Sequence, residues 1–301
     1  MKAIIPVAGK GNRFLPHTQK FQKCLLPVAG RPILEHILTN LTGIVDEIIL
    51  VVGHYGSQVI EYTKRNEDFT FRFIEQKEQL GLGHAIYLGL EDTDEPVLIL
   101  LGDALYRFDI NEFIATSYCN VGVCEVSDPQ RYGIVETSND HFITKVTEKP
   151  AFPKSNLAMI GAYYFTSQLK LRACIDQLIE NAIVTKGEYQ LTDALQIMLN
   201  SGENISYQIV NENLFMDCGT LESLLFANRS LLLESNNINI SANIQESILK
   251  SCTISEGCQV NNSKLENVIM LKNSHVSGIT LKDTVVGFNE IMEKTQIINV
   301  V

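Results

Sequence analysis

The sequence predicts an α/β fold with a mostly parallel sheet, followed by a short C-terminal β-helix. From residue 1 to about 126, short apolar segments alternate with amphipathic ones, which is the pattern of strands joined by crossover helices. Beyond residue 237, apolar residues recur every four to seven positions without helix formers, which is typical of short stacked strands. We therefore expect two domains, comprising residues 1–235 and 236–301.

The elements of the first domain follow from hydrophobic periodicity. Strands are predicted at the apolar segments Ala3–Val7, Glu47–Val52, Thr70–Ile74, Val97–Leu101, Val121–Glu125, Gly133–Glu136, Ile143–Val146 and Met159–Phe165. Helices are predicted at the amphipathic segments Pro32–Leu41, Gln58–Lys64, Lys170–Glu180, Thr192–Ser201 and Thr220–Glu234. Parallel sheets bind ligands beyond the carboxyl ends of their strands. The residues that follow the first and fourth of these strands are therefore expected to meet at one edge.

The composition is that of a folded chain with an acidic background. The 301 residues are 45% hydrophobic and carry a formal net charge of −11. This balance argues against a nucleic-acid partner, which needs a broad basic face, and no apolar run reaches the ~18 residues of a membrane span. Met1 and Lys2 lead directly into a strand, and the seven cysteines form no C-x-x-C pair. We expect a cytoplasmic chain with reduced thiols and no membrane partner.

The first 34 residues carry the most informative local pattern, because they hold six Lys or Arg and no Asp or Glu. Gly9 and Gly11 follow the first strand, with Arg13 and Lys23 a little further on. Glycines let backbone N–H groups approach phosphate oxygens, and the cations neutralise their charge. A dinucleotide-binding loop is disfavoured because Phe14 stands at the third glycine position, and no Walker A sequence occurs. The pattern favours a polyphosphate site, and a solvated basic loop is the alternative.

The segment Gly9–Leu34 resembles the signature of the sugar-1-phosphate nucleotidyltransferases, the pyrophosphorylases that make nucleotide sugars. It reads G-x-G-x-R-x-x-P-x-T-x-x-x-x-K-x-L-x-P-V-x-G-x-P-I-L. Further blocks agree in order and spacing over nearly the whole chain, at Gln76, Leu80–Ala85, Leu101–Asp103, Tyr132–Glu136, Glu148–Pro150, Gly161–Phe165, Gly187–Ala194 and Asp217–Thr220. Two positions depart from the family pattern. Asn12 replaces Thr or a small residue, and Gln22 replaces a common Pro, which we expect to leave the Lys23 loop more mobile.

The resemblance implies a Rossmann-like nucleotidyltransferase domain with a mixed, mostly parallel sheet, and a left-handed C-terminal β-helix. It implies transfer of a nucleotidyl group from a pyrimidine nucleoside triphosphate, UTP or dTTP, to a hexose 1-phosphate such as glucose 1-phosphate, with release of pyrophosphate. It also implies a homo-oligomer assembled through the tail. A non-catalytic nucleotide-sugar-binding regulatory subunit is the alternative. A third interpretation, an acyltransferase tail, is disfavoured by a short tail whose one histidine is His275.

The roles of individual residues are also implied by the resemblance. The catalytic residues are Arg13, Lys23, Asp103, Lys149 and Asp217, of which Asp103 and Asp217 would be ligands of Mg²⁺. The nucleotide-binding residues are Ala8, Gly9, Gly11, Arg13, Gln76 and Gly81. The sugar-binding residues are Gly133, Glu148, Lys149 and Gly161, with Asn156 and Asp193 as weaker candidates. A glutamine amide offers a donor and an acceptor, which matches the edge of uracil or thymine.

Overall fold

The computed structural model describes residues 1–294. They form two compact units that interleave along the chain. The first unit contains Met1–Lys10 and Ile37–Met216, and the second contains Gly11–His36 with the described residues from Asp217 onward. A domain boundary between residues 235 and 236 stays a prediction. Within residues 1–294, the helices are too short or too polar to cross a membrane.

The described residues form helices and strands close to the predicted positions. The helices are α1 (Ile33–Leu41), α2 (Gly56–Thr63), α3 (Leu82–Gly89), α4 (Ile110–Ile114), α5 (Gln168–Glu180), α6 (Leu191–Asn200) and α7 (Leu221–Leu232). The strands up to residue 217 are β1 (Lys2–Pro6), β2 (Pro27–Val28), β3 (Arg31–Pro32), β4 (Glu47–Val52), β5 (Thr70–Glu75), β6 (Val97–Leu100), β7 (Ala104–Tyr106), β8 (Cys119–Glu125), β9 (Gly133–Thr137), β10 (Ile143–Glu148), β11 (Leu157–Phe165), β12 (Ile205–Ile209) and β13 (Phe215–Asp217). Sequence periodicity did not predict β2, β3, α4, β7, β12 or β13, because such short elements contain too few residues to show a period.

The first unit is built on a nine-stranded sheet. Its strand order is β10-β9-β11-β6-β1-β4-β5, and β8 and β12 extend it beyond β11. The strands β6, β1, β4 and β5 are parallel neighbours, whereas β11 runs antiparallel to β6, β8 and β9. The central parallel strands are almost wholly buried, as expected when both faces of a sheet are covered. The predicted α/β fold with a mixed sheet is confirmed.

The tail of the second unit consists of short parallel strands that repeat along the chain. They are β14 (Asn237–Ile238), β15 (Asn243–Gln245), β16 (Ile248–Lys250), β17 (Thr253–Ile254), β18 (Gln259–Asn261), β19 (Lys264–Met270), β20 (His275–Ser277), β21 (Thr280–Val286) and β22 (Ile291–Glu293). Strands pair with others 16 residues further along, as in the series β15, β18, β20 and β22. Buried side chains such as Val260 and Val276 fill the interior. Stacked parallel strands are thus present, and the left-handed β-helix stays a prediction.

Asn228 on α7 joins three segments of the second unit. Its side chain is fully buried, and its Oδ1 accepts hydrogen bonds from the Ala29 N–H at 2.9 Å and the Thr253 hydroxyl at 2.6 Å. Its Nδ2 donates to the carbonyl oxygen of Ser251 at 3.1 Å. A buried amide is tolerated when its donor and acceptor are satisfied. Asn228 therefore fixes α7, the turn before α1 and the start of the tail to one another.

Candidate active site

The carboxyl ends of β1 and β6 place two predicted segments side by side in the first unit. Gly102 donates its N–H to the carbonyl oxygen of Pro6 at 3.3 Å. A Cβ on Gly102 would lie 2.4 Å from Val7 Cγ1, so the close approach requires glycine. The structure therefore brings the end of β1, at Pro6 and Val7, against Gly102 after β6, whereas a meeting of Gly9 with Asp103 stays a prediction.

Gly9 differs from Gly102 in its surroundings. Gly9 is exposed, and a Cβ built on it would meet no atom of the described residues within 4 Å. Packing within the protein therefore does not demand glycine here. Space beside a strand end that no side chain fills is where a phosphate can approach the backbone. This agrees with the expected nucleotide-binding role of Ala8 and Gly9.

The proposed base-reading residues lie together after β5. Gln76 is 4% exposed, and its Nε2 donates to the carbonyl oxygen of Gly81 at 3.1 Å and lies 3.2 Å from His84 Nδ1. Burial lowers the pKa of His84, opposed by the charge of Glu78, so the ring is neutral at pH 7 and can accept this hydrogen bond. Gln76 and Gly81 are therefore preorganised by contacts with each other, as a specific base pocket requires.

Gly81 is held by residues 188–189, which belong to the family-like block Gly187–Ala194. It has φ +109°, and a Cβ on it would lie 2.7 Å from Glu188 Cβ and from the carbonyl oxygen of Tyr189. Tyr189 donates its N–H to Leu80 at 2.8 Å and accepts from the Gly83 N–H at 2.8 Å. Residues 188–189 thus lie against Gly81, and Tyr189 is hydrogen-bonded to residues on both sides of it. No single-residue signal marks this contact, because it depends on the pairing of two distant loops.

The predicted sugar-binding residues meet at the hairpin formed by β9 and β10, where Glu148 lies opposite Gly133. The Lys149 Nζ lies 3.0 Å from Glu148 Oε1. The Thr192 hydroxyl donates to Glu148 Oε2 at 2.7 Å. A Cβ on Gly133 would lie 3.1 Å from Glu148 Oε2 and 2.4 Å from Met159 Cε. The structure brings Gly133, Glu148 and Lys149 together and adds Thr192, which orients the carboxylate.

The remaining sugar candidates occupy different places. Gly161, at a bulge in β11 with φ +80°, accepts hydrogen bonds from the Leu101 N–H and the Tyr106 hydroxyl, both at 2.9 Å. It therefore supports the segment that leads to Asp103. Burial raises the pKa of Asp193, a hydrogen bond from Thr185 lowers it, and the charge of Glu148 raises it. Asn156 lines a separate cavity of about 620 Å³ at the ends of β8 and β12.

In the second unit, residues 11–23 form a closed loop. Gly11 has φ +65°, and its carbonyl oxygen accepts from the Phe14 N–H at 2.8 Å and the Thr18 hydroxyl at 2.7 Å. The Phe14 ring is fully buried, and the Lys23 Nζ lies 5.0 Å from the centre of that ring. Arg13 is exposed between them. The loop therefore presents two cations and a glycine backbone from one compact turn.

Two polar side chains of the second unit, Gln22 and Asp217, make local hydrogen bonds beside candidate site residues. Gln22 is buried, and its Oε1 accepts from the Lys23 N–H at 2.8 Å. The replacement of Pro by Gln thus adds a cap at Lys23, where the sequence alone suggested a looser loop. Asp217 Oδ1 accepts from the Gly219 N–H at 2.8 Å, and a Cβ on Gly219 would lie 2.7 Å from that oxygen. Gly219 therefore lets the turn close around the Asp217 carboxylate.

The family model described as nucleotidyl transferase matches residues 2–234. The chain belongs to the nucleotidyltransferase family. The matched residues contain every candidate for the metal, the phosphates, the base and the sugar. The family assignment therefore agrees with the resemblance drawn from the loop and its later blocks.

Three known proteins illustrate the range of the family. The chain is 34% identical over 250 residues to the bifunctional protein GlmU of Methanocaldococcus jannaschii, covering 83% of this chain and 58% of that protein. It is 29% identical over 282 residues to a glucose-1-phosphate thymidylyltransferase of Streptomyces antibioticus, covering 88% of this chain and 76% of the relative. A solved structure of UDP-glucose pyrophosphorylase complexed with UDP-glucose matches with a TM-score of 0.66 and 26% identity, covering 75% of this chain and 96% of that one.

We predict that substitution of Gly102 lowers the stability of the protein, whereas substitution of Gly9 weakens ligand binding and leaves stability unchanged. Gly102→Ala should lower the free energy of unfolding by about 1–3 kcal/mol, because its Cβ would collide with Val7 and Pro6. Gly9→Ala should leave that free energy within about 0.5 kcal/mol of wild type, because its Cβ enters open space. Gly9→Ala should nevertheless weaken binding of a nucleoside triphosphate. Urea unfolding and calorimetric titration measure the two effects, and unchanged triphosphate binding in Gly9→Ala would remove Gly9 from the site.

Proposed function

We propose that the chain transfers a nucleotidyl group from a pyrimidine nucleoside triphosphate to a hexose 1-phosphate and releases pyrophosphate. The observation that carries this proposal is the set of charged residues that the family-matched region retains. These are Arg13, Lys23, Asp103, Lys149 and Asp217. A regulatory subunit that had lost turnover would have no need for all of them. Their retention favours the enzyme over the non-catalytic alternative.

The proposed step is an in-line displacement at phosphorus. A phosphate oxygen of the sugar 1-phosphate forms a bond to the α-phosphorus, and the bond from that phosphorus to its β-bridging oxygen breaks. The electron pair leaves with pyrophosphate, and the step needs no covalent enzyme intermediate. Repulsion between anions and charge on the leaving group dominate the barrier. The chain contributes cations, with Arg13 on the triphosphate, Lys149 on the sugar phosphate, and Lys23 on the α-phosphate or the incoming sugar phosphate.

Two clusters in the first unit support the choice of base and sugar. The buried Gln76 and the adjoining Gly81 offer amide and backbone groups to a pyrimidine edge. Glu148 is positioned by Thr192 to accept hydrogen bonds from sugar hydroxyls, with Lys149 beside it for the phosphate. Two of the three proteins compared above are named for glucose 1-phosphate and for UDP-glucose. We therefore assign UTP or dTTP as donor and glucose 1-phosphate as acceptor.

Magnesium is proposed as the cofactor. Mg²⁺ in nucleotide sites is bound through one or two carboxylates together with substrate phosphates, not through an all-protein cage. Residues 1–294 contain no group of three His, Cys, Asp or Glu side chains arranged to hold a metal. Asp103 and Asp217, each half-buried and near a glycine turn, fit the carboxylate role. The bound ion would neutralise charge that grows on the triphosphate.

Three further properties remain proposals. The 16-residue repeat of parallel strands supports a left-handed β-helix as the architecture of the tail. Exposed apolar side chains on the tail, among them Ile238, Ile240 and Ile248, support assembly into a homo-oligomer through that surface. A solution mass of one chain by light scattering would contradict this assembly. All seven cysteines are buried and none is spaced as a C-x-x-C pair, which supports a cytoplasmic location.

We predict that UTP or dTTP with glucose 1-phosphate gives the highest kcat/KM among nucleotide and sugar phosphate pairs. Pyrophosphate release should be measured for UTP, dTTP, CTP, ATP and GTP against glucose, galactose and N-acetylglucosamine 1-phosphates. The preferred pyrimidine should exceed either purine by about a hundredfold or more, because an unpaired polar group in the base pocket is costly. Preference for a purine would overturn the base assignment. No release from any pair would favour the non-catalytic regulatory subunit.

We predict that Asp103→Asn and Asp217→Asn each lower kcat about a hundredfold or more, because each removes a carboxylate from beside the developing charge. The matched control is Asp140→Asn, since Asp140 lies on an exposed loop of the first unit. Its kcat should equal that of wild type. Turnover should be measured over a titration of Mg²⁺, with circular dichroism as the check on folding. A variant with wild-type turnover at every Mg²⁺ concentration would eliminate that residue as a ligand.

A further inference from the structure

The phosphate-binding loop of the second unit contacts the last described coil of the tail. The rings of Phe21 and Phe288 lie with their centroids 4.5 Å apart and their planes at 48°. Both side chains are half-buried. Aromatic pairs at this separation contribute beyond the area they bury. The loop that carries Arg13 and Lys23 is therefore packed against a residue more than 260 positions away in the sequence.

A second contact lies beside the aromatic pair. His17 packs on the turn at Gly287, where a Cβ would lie 3.3 Å from His17 Nδ1 and 3.0 Å from Glu290 Oε2. Glu290 in turn accepts a hydrogen bond from the Gly287 N–H. The missing side chain at Gly287 thus lets the imidazole approach the backbone of the tail. Two neighbouring loop residues, His17 and Phe21, rest on one corner of the tail, Gly287–Glu290.

The corner at Gly287–Glu290 is itself held rigidly by the preceding coil. The Leu271 N–H donates to the carbonyl oxygen of Val286 at 2.9 Å, and Val286 is fully buried. The His275 N–H donates to the carbonyl oxygen of Glu290 at 2.8 Å. These bonds set the register of the turn on both sides of Phe288. Phe288 is therefore fixed by the stacked strands and can act as a rigid support.

Hydrogen bonds within the loop connect Phe21, through Thr18, to the backbone at Gly11. The Thr18 carbonyl oxygen accepts from the Phe21 N–H at 3.5 Å, and the Thr18 hydroxyl donates to the Gly11 carbonyl oxygen at 2.7 Å. Thr18 Cγ2 also lies 3.1 Å from the place of a Cβ on Gly11. A shift at Phe21 would therefore disturb the closure of the loop at Gly11. Lys23 follows Phe21 by two residues and would move with it.

We infer that Phe288 is a positioning residue for the nucleoside triphosphate: the tail holds residues 11–23 in the conformation that presents Gly11, Arg13 and Lys23 to the phosphates. The inference rests on the proposed function for the identity of the ligand. It gives the tail a part in substrate binding in addition to assembly. A chain cut near Asn236 would keep every candidate phosphate ligand and lose the support for three of them.

The test compares Phe288→Ala with Ile291→Ala, an exposed residue of the same coil that serves as the matched control. Phe288→Ala should raise the KM for the triphosphate about fivefold, the scale of one aromatic pair. The KM for the sugar 1-phosphate should stay within about twofold, because its candidate residues belong to the first unit. Phe288→Tyr should restore the triphosphate KM. Equal KM values in Phe288→Ala and Ile291→Ala would overturn the inference.

A double-mutant cycle separates the aromatic contact from a general loss of packing. Phe21→Ala and Phe288→Ala remove the two partners of one contact, so the effects of the pair on triphosphate KM should be less than the product of the single effects. Effects that multiply independently would show that Phe288 does not act through Phe21.

Amide hydrogen exchange of the full chain gives a readout that does not depend on turnover. The N–H groups of Phe14, His17 and Gln19 are hydrogen-bonded inside the loop. Phe288→Ala should speed their exchange and Ile291→Ala should not. If the wild type is active and Phe288→Ala leaves the exchange of these N–H groups unchanged, the positioning role is overturned and the proposed function stands. An inactive wild type whose loop still responds to Phe288→Ala would instead contradict the proposed function and retain the contact.

Discussion

In the proposed reaction, electrostatic repulsion between two phosphate-bearing substrates is the constraint on which the rest of this structure depends. A triphosphate and a sugar phosphate repel one another, and a chain with a formal net charge of −11 repels both. Residues 1–34 contain six Lys or Arg and no Asp or Glu, so this segment is locally positive. Lys149 is treated differently, because its ammonium lies 3.0 Å from the Glu148 carboxylate. The Lys149 side chain is 36% exposed, so an incoming phosphate can reach its ammonium.

The backbone around these charges is arranged so that close approach is possible where it is needed. Gly102 and Gly81 lie against neighbouring backbone, which fixes the segments after β6 and before α3. Gly9 has open space beside it, so packing within the protein requires glycine at the first two positions and not at this one. The loop of residues 11–23 depends on internal closure by Thr18 and on contact with Phe288. Rigid positioning of donors before the substrate arrives is what lowers the barrier of a phosphoryl-transfer reaction.

The sequence predicted the parts of the fold that repeat. The buried strands β1, β4 and β6 and the long helices α5, α6 and α7 were found from their apolar period, and the tail from its recurring isoleucines and valines. Family motifs located Glu148, Lys149 and Gly133, which the structure brings together. Sequence could not reveal Thr192 as the partner of Glu148, or Phe288 as the partner of Phe21. Each of those contacts joins residues far apart in the chain. Local sequence patterns do not predict which distant side chains will be in contact in the folded protein.

The central claim is that separate cations bind the two substrates, Arg13 the triphosphate and Lys149 the sugar phosphate. Steady-state kinetics of Arg13→Ala and Lys149→Ala, with each substrate varied at saturation of the other, tests it most directly. The account predicts that Arg13→Ala raises the KM for the triphosphate about tenfold and changes the KM for the sugar phosphate little, and that Lys149→Ala does the reverse. Equal increases in both KM values for either variant would contradict the division of labour between the two cations.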